Sequence, residues 1–99
     1  MKNIWILFSL LFSSFIYASP SIDYYILTKA NGFPIEVTRY VGNRMYVHLN
    51  CVVVLHYPKR NDIIKGCATW NSDSCLIFTT DNPDVLEHEE RHCREGNFH

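Results

Sequence analysis

The sequence predicts an α+β fold: a small antiparallel sheet followed by one C-terminal helix, stapled by disulfides. Three observations carry this reading. β-forming residues recur through residues 22–57 and 66–80, much of the run alternating in polarity and punctuated by turn residues. A single capped, proline-initiated segment of good helix formers follows them. Four cysteines, Cys51, Cys67, Cys75 and Cys93, all lie beyond a leader that reads as an export signal. A chain of 99 residues argues for one folded domain.

The leader comes first. Met1-Lys2-Asn3, an apolar run over residues 4–17 and the small residues Ala18-Ser19 form the pattern of a secretory signal peptide, with cleavage expected after Ala18. The run is shorter than the ~20 apolar residues of a membrane-spanning helix. Residues 1–18 are therefore expected to be a signal peptide and residues 19–99 a single exported domain, periplasmic or secreted, with no stable membrane span after cleavage.

Residues 22–28 are rich in β-formers, and Asn31-Gly32 marks a turn. Residues 35–41 alternate apolar with polar, the pattern of a half-buried strand, and Gly42-Asn43 is the next turn. Residues 45–57 read as the longest strand, since Cys51-Val52-Val53-Val54-Leu55 is a continuous run dominated by β-branched residues. Residues 66–70 and 75–80 flank Asn71-Ser72-Asp73-Ser74 and read as a hairpin. Four cysteines allow three pairings. The hairpin favours Cys67–Cys75, which leaves Cys51–Cys93.

The helix has its punctuation in place. Asn82 can cap it, Pro83 suits the first helical position and Asp84 complements the dipole. Residues 85–94 contain no breaker, and Gly96 is a natural stop.

Composition narrows the function. The formal net charge of −1 offers no electrostatic footprint for nucleic acid. An aromatic content of 14% is too high for a chain that never buries a core. No serine sits in a nucleophile motif, and no glycine-rich phosphate loop is present.

The chemistry sits on the helix, where His88-Glu89-Glu90-Arg91-His92 reads H-E-x-x-H. Residues four apart lie ~40° apart around a helix and one turn along it. Two imidazoles at that spacing project from one face and can share a cation such as zinc. Glu89 lies beside them, where it can accept a proton from water and pass it to a leaving amine.

This segment resembles the active-site helix of the zincin metallopeptidases. The longer string from His88 through Gly96 to His99 also resembles the extended zincin signature, in which a glycine bends the chain and a third histidine completes the metal site. It further resembles small exported bacterial proteins carrying H-E-x-x-H-C. By that resemblance His88, His92 and His99 are zinc ligands, Glu89 is the general base and the partner is a peptide or protein substrate. In the extended signature the glycine and third histidine follow the first histidine by seven and ten residues. Here Gly96 and His99 follow by eight and eleven.

A straight helix would carry His99 roughly 16 Å along the axis from His88. The chain must therefore turn back at Gly96, and Phe98 can pin the tail by packing. His48 and His56 are reserve ligands. Two readings stand side by side. One is an exported zinc metallopeptidase. The other is a non-catalytic exported binding or assembly protein with a structural metal site or none, its helix a solvated face laced by Glu87–Arg91 and Glu90–Arg94 pairs.

Overall fold

A computed structural model describes residues 20–56 and 63–99. The expected signal peptide lies outside the described residues. Six elements follow in order: β1 (Ser21–Thr28), β2 (Pro34–Val41), α1 (Arg44–Val53), β3 (Gly66–Trp70), β4 (Ser74–Thr79) and α2 (Pro83–Glu95). The fold is α+β, as expected, with one four-stranded sheet of order β1-β2-β4-β3. The sheet is mixed rather than antiparallel. β1–β2 and β3–β4 are antiparallel hairpins, while β2 and β4 run parallel, with Val37 opposite Cys75 and Arg39 opposite Ile77.

Strand alternation divides the core into two layers. Ile35, Val37, Ala68, Cys75 and Ile77 point to one face and pack with Cys93 of α2. Cys67 and Phe78 point to the other face and pack with Val47 and Cys51 of α1, joined by Tyr40 and Leu76. Period-two alternation thus feeds two separate helices from one sheet.

Of the segment read as the longest strand, Tyr57 lies outside the described residues and most of the rest is the helix α1, Arg44–Val53. Asn43 ends the preceding turn by capping it: its Oδ1 accepts the Tyr46 N–H at 2.9 Å. Val47 and Cys51, four apart, form the buried stripe. The β-branched residues that suggested a strand fall at its exposed C-terminal end, where Val53 is 65% exposed. Their β propensity is a weak preference, and packing of the Val47–Cys51 stripe on the sheet overrides it.

The disulfides also differ from expectation. Cys51 bonds Cys67, tying α1 to β3, and Cys75 bonds Cys93, tying β4 to α2. The strand register gives the reason. Cys67 stands opposite Phe78, and Cys75 opposite Trp70. The two hairpin cysteines are out of register and point to opposite faces of the sheet, so each meets the helix on its own side. No helix among the described residues is long and apolar enough to cross a membrane.

Candidate metal centre

The site grows from the local structure of α2. Asn82 accepts the Asp84 N–H at 2.9 Å, and Pro83 occupies the first turn. The start of the helix is thereby fixed as the sequence implies, and with it the phase of every later residue. Cys93 faces the sheet and is bonded to Cys75. His92 and Glu89 are therefore drawn to the sheet side, both buried, while His88 lies one turn back and exposed.

At the other end Gly96 has φ 77° and ψ −147°, and its N–H donates to the His92 carbonyl. This backbone region is essentially restricted to glycine. The turn sends Asn97, Phe98 and His99 back along the helix. The Phe98 ring lies 4.5 Å from that of His92 and 5.3 Å from that of His88, and the Arg91 guanidinium covers it at 4.0 Å. His99 Nε2 comes to 3.1 Å from His88 Nε2. The eleven-residue separation is bridged by folding back, with Phe98 as the pin.

One ligand atom from each of His88, His92 and His99 lies within 4.8 Å of the others. His92 Nδ1 is 3.0 Å from the Gly96 carbonyl oxygen. A carbonyl only accepts, so Nδ1 carries the proton and Nε2 keeps the lone pair, as in metal-binding histidines whose second nitrogen is held by a backbone oxygen. Tetrahedral zinc with bonds of ~2.0–2.1 Å spaces its nitrogen ligands by about 3.3 Å. The His88–His99 separation already matches that spacing. Closing a span of up to 4.8 Å to that spacing takes about 1.5 Å of ring movement, and His88 and His99 are both exposed. Desolvation, then the charges of His92, His99 and Arg91, lower the His88 pKa and favour the neutral, ligating imidazole. The three residues fit a divalent cation that accepts imidazole.

Glu89 lines the same open cleft, about 1030 Å³ in volume, as the three histidines. It is only 6% exposed, and burial pushes its carboxyl up to about 7. Its place depends on Gly66 at the start of β3. A Cβ there would lie 2.6 Å from Val85 Cγ1 and 3.2 Å from Glu89 Oε2. The bare glycine lets the helix approach the strand closely enough to shelter the carboxylate.

Two wall residues were not foreseen as site residues. Trp70 stacks on His92 with ring centroids 5.2 Å apart and an interplanar angle of 12°, and Gly66 backs Glu89. Hairpin parity carries the signal for both, since residues 66, 68 and 70 share the face of Cys75, the cysteine bonded to α2. The reserve ligands His48 and His56 are not in the group. His48 sits on α1, where its Nδ1 accepts the Ile64 N–H at 3.0 Å. His56 follows that helix, exposed, with φ 57°. Arg91 pairs forward with Glu95 at 2.8 Å rather than back to Glu87, and its guanidinium also covers Phe98 of the tail. No protein-family model, curated protein or solved structure matches the chain.

Proposed function

We propose that this protein is an exported zinc-dependent metallopeptidase. The observation that supports this reading best is the meeting of three imidazoles and a sheltered carboxylate, His88, His92, His99 and Glu89, on the wall of one cleft. Three protein ligands leave the fourth corner of a tetrahedron for a reactant, as catalytic zinc sites do. When bound, zinc supplies Lewis acidity to water and to a peptide carbonyl.

The remaining work belongs to the chain. His92 is fixed by the Gly96 carbonyl and by the face of Trp70. His99 is fixed by the packing of Phe98 beneath Arg91. The Glu89 carboxylate accepts one proton from the attacking water and returns it to the leaving nitrogen. The water oxygen bonds the carbonyl carbon as the carbon–nitrogen bond breaks, giving a carboxylic acid and an amine. The extended substrate lies in the cleft along the β3 side, past Trp70 and Gly66.

Metal content and peptide cleavage together test this. The oxidised protein is expected to bind about one zinc per chain, and His88→Ala and His92→Ala to lose it. Glu89→Gln keeps the zinc and loses cleavage of a peptide library. Cleavage undiminished in Glu89→Gln would remove the general-base assignment. Absence of zinc uptake from micromolar metal would remove the metal centre altogether.

A further inference from the structure

Strand β1 forms one edge of the sheet, on the side remote from β3 and the cleft. Backbone parity tells which of its residues face outward. The Glu36 N–H donates to the Asp73 carbonyl and the Gly42 N–H to the Thr79 carbonyl, so the even residues of β2 turn their backbone toward β4. The odd residues of β2 turn toward β1, where Ile35, Val37 and Arg39 stand opposite Leu27, Tyr25 and Asp23. The Lys29 N–H to Phe33 carbonyl bond continues this phase. The even residues of β1, Ile22, Tyr24 and Ile26, therefore aim their N–H and C=O groups away from the sheet.

The same three residues carry the strand's exposed apolar side chains, 47%, 74% and 66% exposed respectively. They lie opposite Tyr40, Thr38 and Glu36 on the sheet face that α1 covers only farther along, over β3 and β4. Soluble proteins blunt such edges with lysine, proline, bulges or short strands. β1 is eight residues long and its sequence, SIDYYILT, contains neither lysine nor proline.

We infer that β1 joins a second copy of this chain by antiparallel edge pairing, with Tyr24 on the two-fold axis. An antiparallel pairing of one edge with itself is two-fold by construction. Directly opposed residues share a face, so their numbers must have the same parity. With Tyr24 opposite its own copy, Ile22 meets the partner's Ile26 and Ile26 meets the partner's Ile22. On the other face Asp23 meets the partner's Tyr25. In this register each Asp23, paired with Arg39 of its own chain, meets no like charge across the seam. A two-residue slip one way opposes the two Asp23 carboxylates, and a slip the other way sets Ile22 against the partner's Thr28. Apolar matching and charge select the same register, and a second copy supplies it without any further partner. The result is one continuous eight-stranded sheet, with six apolar side chains across its centre. One strand pair buries less than the ~800 Å² per partner of a standard interface, so the dimer is expected to be of micromolar strength, about 10–100 µM.

Sedimentation equilibrium of the oxidised protein from about 5 µM to about 1 mM tests the inference. The wild type is expected to pass from monomer mass to dimer mass across that range. Tyr24→Pro deletes an outward N–H and leaves the β1–β2 bonds of the odd residues in place, so it stays monomeric. Ile26→Lys, which sets a charge against the partner's Ile22, is the second variant should the proline prevent folding. It is expected to raise the dissociation constant at least tenfold. A wild type that remains monomeric at about 1 mM overturns the inference, as does a folded variant that dimerises as tightly as the wild type. Zinc binding, on the opposite face, is unchanged in both variants.

Discussion

Removing the Cys75–Cys93 disulfide isolates what holds α2 to the sheet. The bond joins residues 18 apart in sequence. Chain-entropy reasoning, with −2.1 − 1.5R ln n cal/mol/K for a loop of n residues, gives about 3 kcal/mol at 25 °C. Cys51–Cys67 joins residues 16 apart, and the same relation gives about 3 kcal/mol again. Loop length therefore does not separate the two bonds, and each variant is expected to lose a similar share of stability. For a domain of this size the loss corresponds to a fall in Tm of roughly 12–24 °C. The assay is reversible thermal unfolding of Cys75→Ala/Cys93→Ala beside Cys51→Ala/Cys67→Ala, in non-reducing buffer. All four cysteines are buried, so alanine avoids leaving a hydroxyl without a partner. A drop below about 1 kcal/mol in either double variant would refute the reasoning, because packing alone would then hold that helix. A drop well above about 5 kcal/mol would refute it in the other sense, with core volume outweighing chain entropy.

Three further outcomes follow from the same geometry. Gly66→Ala drives a methyl into Val85 and Glu89, so it is expected to cost about 1–3 kcal/mol in chemical denaturation. Because Glu89 sits between His88 and His92 on the cleft wall, the proposed peptide cleavage is expected to fall as well in the folded variant. Gly96→Ala places a side chain in a backbone region that only glycine adopts freely, at a cost of about 1–3 kcal/mol. By displacing Phe98 and His99 it is also expected to weaken the proposed metal centre, measured by competition between the protein and a chelator for added zinc. Tyr25 contributes to the pH dependence at its alkaline end. Burial first, then the neighbouring Glu90, raise its pKa well above the tyrosine value of 10.0. The unfolded chain loses this proton as pH rises through 10 while the folded chain keeps it, so the native state binds more protons and stability falls from that pH upward. Denaturant midpoints between pH 8 and pH 11 check this, and Tyr25→Phe flattens the fall.

Much of the molecule was legible because its signals are local. Asn82, Pro83 and Gly96 mark the ends of α2, and a helix phase once set places His88 and His92 on one side. Asn71 binds the Asp73 and Ser74 N–H groups through its own side chain, so the hairpin turn is written in neighbouring residues. The misreadings concern non-local choices. The Val52-Val53-Val54 run favours a strand by itself, and only the packing of Val47 and Cys51 on Phe78 and Cys67 makes it the end of a helix. Cysteine pairing depends on strand register, which composition near Cys67 and Cys75 does not reveal. The parallel union of β2 with β4 joins segments some forty residues apart, with no turn residue to announce it. At the site, the fold-back of His99 follows from Gly96 and Phe98, while the stacking of Trp70 on His92 requires knowing that α2 is bonded to the hairpin.

The parallel pairing of β2 with β4 sets an order of events as the chain is made. Synthesis runs from the N-terminus, so β1 and β2 are available to each other at once. A two-stranded hairpin alone in water is marginal at best. The third strand against β2 is β4, and it emerges only after α1 and β3 have been made. The first two strands therefore wait, exposed, until residues 42–79, nearly half of the folded domain, have followed them. Both cysteine bonds also end on the β3–β4 hairpin. The covalent network thus closes around the late segment, and the early hairpin is held by the sheet alone.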